Sequence, residues 1–144
     1  MKYRLLRSFI TVLVIAVFAA TIAFAMMKWD VDDFVGTWEM EHDGWKGTLI
    51  LKEYDGDCDT SPPMRGTYIA HDGKKYEVDA WARCPGMSPQ NKWQHYIMFY
   101  IKFSPEHHQK FEGYLYSRDK SMMAGITDYK GTNYGFHAKK VQIK

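Results

Sequence analysis

The chain has 144 residues, of which 46% are hydrophobic, 25% charged and 16% aromatic, and its formal net charge is +2. That is enough apolar material for one core of ordinary domain size, which excludes a wholly disordered chain and leaves no room for two normal domains. Two cysteines exclude a disulfide-knit miniprotein and a four-thiolate zinc site, and so small a charge argues against a nucleic-acid partner.

The first segment differs from the rest. Lys2, Arg4 and Arg7 make a positive start, residues 9–24 are apolar except for Thr11 and Thr21, and the stretch ends in Ala23-Phe24-Ala25. This reads as a secretory signal peptide at 1–25, cut after Ala25, with an uncleaved membrane anchor as the alternative because the apolar run to Met27 nears the shortest spanning length. The three basic residues would leave with the signal, so the charge of the remaining domain, 26–144, falls from +2 to −1. The expected location is exported, periplasmic or extracellular, and a near-neutral exported domain has no electrostatic reason to bind DNA or an anionic membrane.

After a short lead-in at 29–34, a turn or a helix, β-rich runs alternate with turn residues. The runs are 36–41 (GTWEME), 46–54 (KGTLILKEY), 65–70, 75–83, 92–103 (KWQHYIMFYIKF), 111–117 (FEGYLYS), 121–128 (SMMAGITD) and 132–140 (TNYGFHAKK). Residues 104–108 read as one turn, and Asp43-Gly44, Asp72-Gly73 and Lys130-Gly131 supply others. No stretch beyond the export segment keeps a helical period over 12 residues. Eight strands with mostly hairpin links predict an all-β, antiparallel up-and-down barrel, since closure removes the two exposed edges a flat sheet would keep; a β-sandwich is the alternative.

Alternation orients the strands. Trp38 and Met40, then Tyr76, Val78 and Ala80, then Ile97, Phe99 and Ile101, then Phe111, Gly113 and Leu115, then Tyr134, Phe136 and Ala138 fall on inward positions. On 92–103 the outer positions Tyr96, Met98 and Tyr100 are apolar as well, and such a face needs cover. With the hairpin between 65–70 and 75–83 centred on Asp72-Gly73, Cys84 lies opposite residue 61 and so near Cys58. In an oxidising compartment the two are expected to pair, a bond contributing ~3 kcal/mol on chain-entropy grounds.

Gly36-Thr37-Trp38, opening the first strand after a short lead-in, resembles the G-x-W signature of the calycins, the superfamily of lipocalins and avidins. The resemblance implies a barrel closed at one end by the Trp, with a basic residue of a late strand packed across it, a part open to Lys139 or Lys140. It implies architecture and no particular ligand.

Candidate chemistry is sparse. Asp55, Asp57 and Asp59 have the spacing of the first ligands of a calcium loop, but Thr60 and Gly66 stand where that pattern needs Gly and Glu, so a solvated acidic turn reads better. His107 and His108 are adjacent and would face opposite ways on a strand, and His95 and His137 lie in strand runs without metal-ligand spacing. No G-x-S-x-G or C-x-x-C occurs, so no catalytic residues, metal or cofactor are expected. Gly113, Gly125 and Gly135 fall within successive strands, where barrel curvature or a group lying against them would explain them. The aromatic content either fills the barrel or surrounds a ligand. The expected function is non-catalytic binding of a small apolar or aromatic ligand, with Trp38, Val78, Phe99, Leu115 and Phe136 lining the interior. The alternative is a periplasmic protein-interaction module, such as an inhibitor of an exported hydrolase, using loops 84–91 and 104–108 or the outer face of 92–103. No membrane contact is expected beyond the N-terminal anchor alternative.

Overall fold

A computed structural model describes residues 31–84 and 95–141. The segment expected to be a signal peptide and most of loop 84–91, with Trp29 and Trp93, lie outside the described residues.

Eight strands follow in chain order: β1 (Gly36–His42), β2 (Trp45–Glu53), β3 (Met64–Ala70), β4 (Lys75–Ala82), β5 (Tyr96–Ser104), β6 (His107–Leu115), β7 (Met122–Tyr129) and β8 (Thr132–Lys140). Each pairs antiparallel with the next, and β8 returns to β1, so the sheet is a closed up-and-down barrel with no free edge. The sandwich is thereby excluded. The lead-in is a turn, with Phe34 and Val35 N–H both donating to the Val31 carbonyl.

The turns follow from their residues. Asp43-Gly44 and Lys130-Gly131 both have positive φ at each central position, the two-residue turn whose twist matches that of the strands it joins. The expected turn at 104–108 is shorter than its composition suggests. Ser104 pairs with His107 across Pro105-Glu106, a register shift between Lys102 and Ser104 absorbs one residue, and β6 therefore begins at His107.

An up-and-down barrel puts β1–β2, β3–β4, β5–β6 and β7–β8 connections at one end, here called the mouth. The remaining connections and the lead-in turn lie at the other end, the base. The interior between them is filled. Phe99 stacks on Phe111 with ring centres 4.8 Å apart, and Phe136 meets both edge-on at 5.6 and 5.5 Å. Leu49, Leu51, Met64, Ile97, Ile101 and Met123 pack around these rings with 0–1% exposure. Each such side chain contributes roughly 1.5–3 kcal/mol on leaving water.

Tight coiling depends on glycine where strands approach. A Cβ on Gly125 would lie 2.0 Å from the Glu112 carbonyl oxygen, and one on its partner Gly113 would lie 2.7 Å from the Phe136 ring. Gly135 meets nothing within 4 Å, so curvature accounts for two of the three expected strand glycines.

The apolar outer face of β5 is covered by its neighbours. The Tyr96 ring packs on Tyr114 at 5.2 Å and its hydroxyl donates to Glu112 Oε1 at 2.7 Å, while Tyr100 meets Trp81 edge-on at 5.9 Å.

Candidate functional site

The base is sealed. Trp38 is fully buried, and its Nε1–H donates to the Phe34 carbonyl at 2.9 Å. Lys140, not Lys139, crosses it: Nζ sits 5.2 Å from the Trp38 ring and donates to the Asp33 carbonyl at 3.0 Å. Burial lowers the Lys140 pKa, with the Asp33 and Asp32 charges opposing that shift. The Asp33 carboxylate also accepts Arg83 Nη2 at 2.7 Å and Lys120 Nζ at 2.8 and 2.9 Å, joining the lead-in turn to two base connections. Cys58 and Cys84 are bonded, with Cα atoms 5.6 Å apart, which ties a third connection to the same end.

The mouth is different. Its four connections are the short turns at 43–44, 71–74, 105–106 and 130–131, too short to fold across the opening. The inward strand positions near them therefore line an open cup of about 690 Å³. Tyr76, Phe103, Tyr129 and Tyr134 form its aromatic walls, with Trp45 and His71 at the rim. Tyr76 meets Phe103 edge-on at 4.8 Å, and His107 stacks near Phe103 at 6.1 Å.

Polar groups gather on its floor. His42 is 4% exposed, and Gln109 and Thr127 are buried. His42 Nε2 lies 3.1 Å from the Tyr68 hydroxyl, and Gln109 Nε2 donates to Asp43 Oδ2 at 2.9 Å and to Thr127 Oγ1 at 3.0 Å. The Thr127 hydroxyl in turn donates a hydrogen bond to the Lys110 carbonyl. Gly47 makes this arrangement possible, because a Cβ there would lie 2.4 Å from the end of the Tyr68 ring. Two buried atoms of the floor, His42 Nδ1 and Asp43 Oδ1, have no hydrogen-bond partner among the described residues. Desolvation lowers the His42 pKa although the Asp43 carboxylate pulls the other way. Burial pushes the Tyr68 phenol up to about 12, which keeps it a hydroxyl.

The structure brings Trp38, Val78, Phe99, Leu115 and Phe136 together, but as members of the packed core, and none of the five lines the cup. Tyr76 and Tyr134, expected to point inward, stand higher: one is half-buried, the other exposed, and both line the cup. The floor residues differ in how legible they are. Alternation from Trp38 and Met40 leads directly to His42, whereas Gln109 sits in residues that read as loop next to an apparent five-residue turn.

The other candidates take different places. Asp57 spends its carboxylate on its own turn, accepting the N–H groups of Asp59, Thr60 and Ser61 at 2.8–3.1 Å, and these bonds hold its pKa down at about 2. His107 faces the cup, His108 the solvent, and His137 lies exposed on β8. Among the described residues no three His, Cys, Asp or Glu side chains converge on a point that could hold a metal.

The fold and the sealed base together are consistent with a calycin-like barrel. No protein-family profile matches the sequence, and no curated protein matches it significantly.

Proposed function

We propose that this is an exported, lipocalin-like binding protein that takes a small apolar or aromatic ligand at the mouth of its barrel and performs no chemistry on it. The cup carries the reading: about 690 Å³, aromatic walls and a few convergent polar groups on a buried floor. That volume falls within the ~300–1,000 Å³ typical of small-molecule sites. The Trp38 and Lys140 closure supports the calycin-type assignment, and the Cys58–Cys84 bond is compatible with an oxidising, exported location. The ligand contacts proposed are those of the cup, with Trp38, Val78, Phe99, Leu115 and Phe136 forming the core beneath it.

Native mass spectrometry of protein purified from its own host tests this reading. A retained small mass, lost when Phe103→Ala opens the wall, is expected. Protein that carries no small mass but captures an exported protein partner would overturn it. That second reading, a protein-interaction module, draws on exposed Tyr114 and Ile126, which share the outer face of β6 and β7.

A further inference from the structure

The cup's floor holds a carboxylate in an unusual setting. Asp43 has a side chain only 15% exposed, against 53% for Asp72 at the rim. Among the described residues its Oδ2 accepts a neutral hydrogen bond, from Gln109, and its Oδ1 accepts none. Among the described residues the basic side chain set against it is His42, whose Nδ1 stands 3.6 Å from Oδ2, too long for a good hydrogen bond, and has no hydrogen-bond partner there. Burial disfavours the charged form of this ring, which makes it a poor counter-ion for the carboxylate. The lysines of the cup are engaged elsewhere, Lys74 with Asp72 at 2.9 Å and Lys46 with Glu41 at 3.7 Å, and both reach into solvent. A carboxylate withdrawn from water without a cation is costly, and a cation supplied from outside offsets that cost. The walls suit the same visitor, since the faces of Tyr and Phe rings attract cations as well as flat apolar bodies. One exposed instance already exists at the rim, where Lys130 Nζ lies 5.2 Å from the Tyr129 ring.

We propose that the cup selects a small aromatic amine, its flat body against Tyr76, Phe103 and Tyr134 and its protonated nitrogen on Asp43. This rests on the cup being the ligand site. Titration calorimetry at neutral pH and low salt, with tryptamine, indole-3-propionate and indole as probes, tests it. Tryptamine is expected to bind at least tenfold more tightly than the propionate, which carries the opposite charge on a similar frame. Asp43→Asn is expected to cost tryptamine at least tenfold and to remove its preference over the propionate. The variant keeps its fold, because Asn-Gly is a favoured pair for the turn in which Asp43 has φ 51°. Equal binding of tryptamine and the propionate, or an Asp43→Asn variant that binds tryptamine undiminished, would overturn the amine inference and leave the cup standing as a ligand site. Failure of all three probes to bind would overturn both.

Discussion

The two ends of this barrel are cut from the same eight strands and behave as opposites. At the base, the lead-in turn buries Val31 and Phe34, Trp38 plugs the interior, and the cations Arg83 and Lys120 meet on Asp33. At the mouth, short turns leave a cup open above the core, and the buried layer beneath it has changed from Leu, Ile and Phe to His42, Tyr68, Gln109 and Thr127. Connection length explains the difference. A turn such as Asp43-Gly44 satisfies its own backbone and has nothing left to cover a barrel end. The base thus serves stability, and the mouth can hold groups that a closed core would not tolerate.

The comparison predicts unequal responses to substitution. The largest is expected at the base, where Trp38→Ala should cost about 3–5 kcal/mol in chemical denaturation, because it opens a cavity and strands the Lys140 amine. If it cost no more than a mouth substitution, the division between the ends would fail. Next, breaking the Cys58–Cys84 bond should cost about 3 kcal/mol by closing no loop in the unfolded chain. A mass shift on alkylation without prior reduction would show that the thiols are free and end that expectation.

Gly47→Ala probes the mouth from behind. Displacing Tyr68 should cost about 1–3 kcal/mol by overpacking and should weaken ligand binding through the lost His42 contact. The smallest stability effect is expected for Tyr134→Ser, within about 0.5 kcal/mol, although it removes a wall of the cup.

Acid sharpens the same contrast. The folded pKa of His42 lies below its ordinary value of 6.5 because burial penalises the charged ring. The unfolded chain therefore binds the proton more readily, and stability present above pH 6.5 should be lost as pH falls toward the folded pKa. Denaturation at pH 7 and pH 5 should show this loss in the native sequence, and His42→Gln should reduce it.

Much of the fold was legible because it depends on local chemistry. Turn pairs such as Asp43-Gly44 and alternation such as Trp38, Met40 mark strands and their inner faces without tertiary knowledge. The hairpin arithmetic that put Cys84 opposite residue 61 came within one residue of the observed register, where Ile69 pairs with Lys75. The cup was not legible, because alternation reports the side of the sheet and not the height in the barrel. Phe136 and Tyr134 share an inner face, yet one packs on Phe99 and the other reaches the rim. Gln109 was hidden by Pro105, which makes 104–108 resemble a long turn when two residues suffice.

The division of labour between the ends is tested most directly by an amide NMR titration of the intact domain with tryptamine. Shifts are expected to concentrate in residues 42–46, 68–76, 103–109 and 127–134, with the amides of Trp38, Ala82 and Met123 unmoved. Shifts centred on those base residues, or spread evenly over both ends, would contradict it.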